Sequence, residues 1–180
     1  MARVPLIVEH DHPELADLIG RLKGGRGGRL LNLYKLLLNS PTLAATWFEH
    51  VNAVRWKTKL DGQTRELAII RIGLVTRVGY VLAQRVPAYA LQEGLTLAQC
   101  DALADWSSSS LFNARQRAVL AYTDAMTRDV QVPGDVFDPL KTHFTDQQIV
   151  ELTVLIGTYN MHTRVLQALE IDLESTPPAG

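Results

Sequence analysis

The chain has 180 residues, 47% hydrophobic and 21% charged, an ordinary globular composition that fits one domain and excludes disorder, collagen and a long coiled coil. Eighteen Lys and Arg against nineteen Asp and Glu leave a net charge of −1, so no global field draws in nucleic acid or an anionic membrane. No apolar run approaches the roughly 20 residues that span a bilayer, and the Val4 to Val8 patch, broken by Pro5, is too short for a signal-peptide core. A single cysteine, Cys100, fits a reducing compartment. The expectation is a soluble cytoplasmic protein without nucleic-acid or membrane partners.

Punctuation along the chain predicts helices throughout and no hairpins, hence an all-α fold. Pro13 opens a first helix to about Leu22, and Gly24-Gly25-Arg26-Gly27-Gly28 is a loop. Leu30, Leu33, Tyr34, Leu37 and Leu38 recur at helical spacing, and Ser40-Pro41 starts a third helix to about Lys57. After the Asp61-Gly62 turn, Thr64 is read as the cap of a helix with a stripe of Leu67, Ile70, Leu74 and Val75, continuing to about Gln92. Gly79 within it marks a kink, a break or a close contact, and Gly94 the stop. Thr96 with Gln99 forms a capping box for a short helix to Trp106, and Ser107 to Ser110 is a linker inside one domain spanning residues 1–180, with its core at about 13–172. Asn113 opens the next helix, which ends before Val132-Pro133-Gly134. Thr145 with Gln148 caps a long last helix to about Leu169, and the tail from Pro177 is frayed.

Few motifs carry chemistry by themselves. The glycine loop with Arg26 suggests a phosphate cradle but lacks the lysine-serine/threonine ending and a preceding strand. His10-Asp11-His12 with Glu9 and Glu14 has the composition of a metal cluster, yet these residues flank a helix start where acids favour the macrodipole, and no metal site is expected. Cys100 has no partner cysteine and reads as a small packed group. Trp47 and Trp56 read as interior or subunit-interface residues, with ligand contact as the lesser case.

The segment Arg65-Glu66-Leu67-Ala68-Ile69-Ile70-Arg71-Ile72-Gly73, with Tyr80-Val81-Leu82-Ala83-Gln84-Arg85-Val86-Pro87-Ala88 and Glu93-Gly94-Leu95-Thr96, resembles the carboxymuconolactone decarboxylase family, which shares its fold with alkyl hydroperoxidase D. The likeness runs from the glycine loop through Asp124-Ala125-Met126-Thr127 to Tyr159-Asn160-Met161. In the peroxidase branch a glutamate is followed by a cysteine twelve residues on, a second cysteine at fifteen and a histidine at nineteen. Glu66 takes the first place here, whereas Val78, Val81 and Arg85 take the others. A valine has no thiolate, so thiol peroxidase chemistry at this site is not expected.

The resemblance implies a cofactor-free lyase or isomerase acting on a small cyclic or aromatic carboxylic acid or lactone. In that reading Glu66 moves the proton, Arg85 holds a carboxylate or enolate with its fixed charge, and Tyr80 and Gln84 orient the ring beside Val78 and Val81. Arg71 and His162 are further substrate-binding candidates, with Tyr159 beside them. The same residues admit a second reading, a non-catalytic ligand-binding or structural oligomer in which Glu66 pairs with Arg71 or Arg85 to orient helices. The resemblance also implies a homo-oligomer, a trimer or hexamer, with helices Leu30 to Leu38 and Pro41 to Trp56 able to supply its interface.

Overall fold

The computed structural model describes residues 2–24, 28–79 and 89–174, and every regular element among them is helical. Contacts divide the chain into two compact units, residues 1–53 with 166–180, and residues 54–165.

In the first unit the entry into the expected first helix is tighter than an α-helix. Glu9–Asp11 and Pro13–Leu15 are 3-10 turns, with Pro13 at the opening position where its missing N–H costs nothing, and α1 follows at Ala16–Lys23, burying Ile19 and Leu22. Helix α2, Asn32–Leu37, has only six residues and no side-chain cap, and five of the six are buried, so packing rather than propensity holds it. Its leucines and their neighbours Leu30 and Leu38 are all buried within the chain. They are therefore not available for the subunit interface expected of them. Helix α3, Pro41–Trp56, begins with the Ala44 N–H returning to the Ser40 carbonyl at 3.0 Å. The end of the chain is tied to its beginning: the Arg3 N–H donates to Leu169 O at 2.9 Å, Arg3 pairs with Glu170, and Asn32 N–H donates to Glu174 at 2.8 Å. The tail from Pro177 and the centre of the glycine loop, 25–27, lie outside the described residues.

The second unit holds α4 (Gly62–Thr76), α5 (Leu97–Ala102) running into a 3-10 segment (Leu103–Ser108), α6 (Ala114–Arg128), α7 (Gly134–Lys141) and most of α8 (Asp146–Ala168). Helix α4 packs on α6 and on the 3-10 segment, and α6 packs on α7. The capping boxes Thr96 with Gln99 and Thr145 with Gln148 form as expected, and Asn113 makes a further one with Gln116. The four serines are no free linker. Arg117 donates to the carbonyls of Ser107 and Ser109, fixing the turn to α6.

Three local readings are corrected. Asp61, not Thr64, is the N-cap of α4: its carboxylate accepts from the Thr64 N–H and hydroxyl, both at 2.9 Å, so Thr64 sits inside the first turn. The same helix stops at Thr76 rather than running to Gln92. Arg77 takes a left-handed conformation (φ 57), and the Val78 N–H reaches back to Gly73 O at 3.0 Å, a Schellman ending without glycine. Gly79, past that ending, has open space where a Cβ would be and marks no close contact. Finally, α7 is an element that the sequence pattern hides, because Pro133-Gly134 reads as a terminator and Pro139 as a breaker. Its Val136, Phe137 and Leu140 spacing was the available signal, and Leu140 is fully buried.

Burial acts first on the Asp61 carboxyl and raises it, but the hydrogen bonds from Thr64 and Arg115 outweigh that, and its pKa lies below the ordinary value. The stabilisation it gives is therefore full above the unfolded carboxyl's pKa and is lost as pH falls through the folded one. Asp61→Ala is expected to cost about 1 kcal/mol at neutral pH. Urea titrations across acid pH should show the difference between wild type and this variant shrinking as pH falls. A difference that stays constant with pH would contradict the ionised cap.

Candidate functional site

From Thr64 to Gly73 every residue of α4 is buried. Three of the ten are charged, so each must find its compensation inside the protein. Glu66 has no exposed surface, and its Oε1 lies 3.8 Å from Arg55 Nη2, at the end of α3, and 3.6 Å from Arg65 Nε. Both guanidiniums are buried as well. Arg65 Nη2 also donates to Glu93 Oε1 at 2.6 Å, and Glu93 is the most accessible of the four charges, 31% exposed.

An aromatic layer covers the pair. The Arg55 guanidinium stands 4.2 Å over the Trp56 ring and 4.7 Å over Tyr89, and Arg65 stands 4.9 Å over the same indole. Trp56 itself is 51% exposed, so of the two places expected for it, the interior and a subunit interface, the interior is ruled out. Glycine lets Glu93 reach this place: a Cβ on Gly62 would meet the Glu93 carboxylate at 1.6 Å, and Gly94 next to it has φ +85. The result is a buried anion between two cations, under an indole that reaches solvent.

Arg71 is engaged elsewhere. Its Nε and Nη2 take the two oxygens of Asp124 at 2.6 and 2.7 Å in a bidentate pair, and Nη1 donates to the carbonyls of Leu103 and Ala104. Trp106 Nε1 donates to the same carboxylate at 3.2 Å. This network joins α4, α6 and the 3-10 segment, and it takes up the fork that was expected to bind substrate. His162 is buried on α8 with its ring 5.4 Å from that of Tyr159. Val78 is buried beyond the end of α4, so it does not share a helix with Glu66. Tyr80, Val81, Gln84 and Arg85 lie outside the described residues.

Cys100 lies in an apolar cluster with Leu67, Ile70, Leu103, Phe112 and Leu120. Burial pushes its thiol pKa up, and the charge of Asp101 adds to the rise, the opposite of what a reactive thiolate needs. Among the described residues no group of three or more His, Cys, Asp and Glu is arranged to hold a metal, and the expected acidic-histidine segment pairs internally, His12 Nδ1 with Glu14 at 2.9 Å. No helix among them is long and apolar enough to cross a membrane.

Sequence reasoning missed Arg55, Arg65, Tyr89 and Glu93, and gave ligand contact only as the lesser case for Trp56. The signal for Arg65 was present: on a helix apolar at nearly every other position, an arginine beside a glutamate has no solvated face to use. For Arg55 and Trp56 there was none, because a helix-ending Arg-Trp pair reads equally as surface.

Residues 41–125, just under half of the chain, match the model of the Carboxymuconolactone decarboxylase family, so this segment is similar to that family. A 74-residue stretch is 39% identical to the uncharacterised protein YnjA of Escherichia coli (strain K12), covering 39% of this chain and 39% of that one. The fold is similar to an uncharacterised peroxidase-related protein from Silicibacter sp. TM1040, with TM-score 0.82 and 18% identity over 97% of this chain and 92% of that one. It is similar also to the debrominase Bmp8 in complex with 2,3,4-tribromopyrrole, with TM-score 0.80 and 16% identity over 97% and 95%. At such identities these two likenesses define the fold.

The Arg71 network yields a stability prediction. Asp124→Ala leaves Arg71 buried with two carbonyls and no counter-charge, and is expected to lower unfolding free energy by about 3 kcal/mol. Denaturant melts read this directly, and a loss below about 0.5 kcal/mol would contradict the assignment of a structural pair.

Proposed function

We propose that this chain is a thiol-independent, cofactor-free member of its family that binds a small cyclic or aromatic carboxylic acid. Arg65 and Arg55 recognise the anion, Trp56 and Tyr89 offer the planar surface, and Glu66 is the fixed counter-ion that holds both arginines. The observation that carries this is the arrangement of Glu66, fully buried with guanidiniums at 3.6 and 3.8 Å, beneath a half-exposed indole stacked on them.

Arginine suits the role because its charge is permanent at any physiological pH and its planar fork matches a carboxylate. Glu93 now occupies Arg65, and an incoming carboxylate takes the place of this more accessible one. A solved chain of the same fold holds a planar halogenated pyrrole, which supports a small ring as the ligand. A thiol mechanism finds no support, since the one cysteine is buried and its pKa is raised.

The second reading is catalytic: a lyase or isomerase on a small cyclic or aromatic carboxylic acid or lactone, with Glu66 moving the proton and Arg85 stabilising the anion. It is favoured by one observation, that Glu66 lies within residues 41–125, the segment that matches the family model. Against it, a proton carrier needs to come within hydrogen-bond reach of its substrate, and Glu66 has no exposed surface.

Benzoate and gamma-carboxymuconolactone serve as probes. The binding reading expects benzoate to quench tryptophan fluorescence, Trp56→Phe to remove the quench, and Glu93→Gln to tighten binding severalfold by removing a competing anion. It expects no carbon dioxide from the lactone. Carbon dioxide release that Glu66→Gln abolishes would establish the catalytic reading instead, and no response to benzoate at all would contradict ligand binding at this cluster.

A further inference from the structure

Gly62 is the first residue of α4, and a carboxylate lies where its side chain would be. The three atoms nearest to an added Cβ all belong to Glu93: Oε2 at 1.6 Å, Cδ at 2.0 Å and Cγ at 2.8 Å. Backbone geometry does not ask for glycine here, because φ at Gly62, unlike that at Gly94, is not positive. The missing side chain serves instead as space. It forms a slot with Gly62 as its wall and the Arg65 guanidinium at its end, more than nine-tenths buried and donating to Glu93 Oε1 at 2.6 Å.

We infer that this slot is the subsite for the ligand's carboxylate, and that Glu93 is its built-in occupant, a pseudo-ligand that an external monocarboxylate displaces. The inference rests on the binding reading above and adds where the carboxylate sits, which residue admits it and how many charges it brings. Of the four charged groups in the cluster, Glu93 is the one that water reaches. The turn that carries it is held by other contacts. Leu95 N–H donates to Ala90 O at 3.0 Å, Gln63 Nε2 donates to Gly94 O at 3.1 Å, and Ala90 and Leu95 are buried in the apolar cluster with Leu67 and Ile70. The backbone therefore stays in place when the carboxylate leaves, and rotation of one side chain opens the slot. Tyr89, whose carbonyl accepts from the Glu93 N–H at 3.0 Å, keeps its ring over Arg55 throughout.

Charge sets the number of carboxylates. Among the described residues the cluster joins two cations, Arg55 and Arg65, to two anions, Glu66 and Glu93. Asp61, beside Gly62, is already matched by Arg115. One entering carboxylate restores the balance that the Glu93 carboxylate leaves, and a second would find no cation there and would face Glu66.

Calorimetric titration with benzoate and isophthalate tests the slot. Glu93→Ala empties it, whereas Glu93→Gln removes the charge but leaves an amide of the same length in place. Benzoate is therefore expected to bind Glu93→Ala more tightly than Glu93→Gln, and both more tightly than wild type. Adding Gly62→Ala to Glu93→Ala returns one methyl to the slot and is expected to weaken benzoate about tenfold or more, at unchanged helical content by circular dichroism. Isophthalate is expected to bind Glu93→Ala about tenfold more weakly than benzoate does. Benzoate binding that is indifferent to the added Gly62→Ala, or equally tight for Glu93→Gln and Glu93→Ala, would overturn the slot and leave the binding reading standing. Isophthalate bound as tightly as benzoate would overturn the single-carboxylate assignment, and no benzoate binding by wild type or any variant would overturn both readings.

Discussion

A helix enclosed on every side cannot send its charges to water, and that constraint organises the second unit of this protein. Over the ten residues from Thr64 to Gly73, α4 buries Arg65, Glu66 and Arg71 along with its leucine and isoleucines. Each charge therefore dictates what its neighbours must be. Arg71 obliges α6 to present Asp124 and the 3-10 segment to turn two carbonyls inward. Glu66 and Arg65 oblige the end of α3 to supply Arg55, and the chain before Gly94 to supply Glu93. Ion pairs of this kind add little net stability over apolar packing, but removing one member leaves a buried charge behind, so they fix which arrangement of helices is tolerated.

The two arginine systems differ in what they leave open. The Arg71 pair is bidentate, its fork also bonds two carbonyls, and its role is complete within the protein. The Arg55 and Arg65 pair meets Glu66 at distances beyond a normal hydrogen bond, stacks on an indole that is half exposed, and shares Arg65 with a carboxylate that water can reach. The accessibility of Glu93 and Trp56 separates this cluster, built on Arg65 of α4 and Arg55 of α3, from the enclosed Arg71 pair. Val78 is a buried apolar residue, and Cys100 belongs to the apolar core.

The helical class and most helix starts were legible in the sequence, because capping residues and periodic apolar positions act locally. Thr96, Asn113 and Thr145 cap through bonds spanning three residues, which sequence spacing encodes. Errors arose where the deciding contact is distant or unusual. Asp61 prevails over Thr64 as the cap with added support from Arg115, 54 positions away. The α4 ending uses an arginine in a conformation usually left to glycine, so no glycine signal announced it. In the candidate site, Glu66 was visible through its motif, while Arg55, Trp56 and Glu93 become its neighbours only through tertiary packing, and Arg71 was misread because its partner Asp124 is 53 positions away.

The central claim is that Glu66 acts as a fixed counter-ion to buried arginines. Its most direct measurement is a double-mutant cycle in urea unfolding with Arg55→Met, Glu66→Gln and the pair combined. The account predicts strong coupling, about 1 to 3 kcal/mol, with the double variant more stable than the sum of the single losses implies. Additive losses, with coupling near zero, would show that Glu66 is not held by its arginine and would contradict the account.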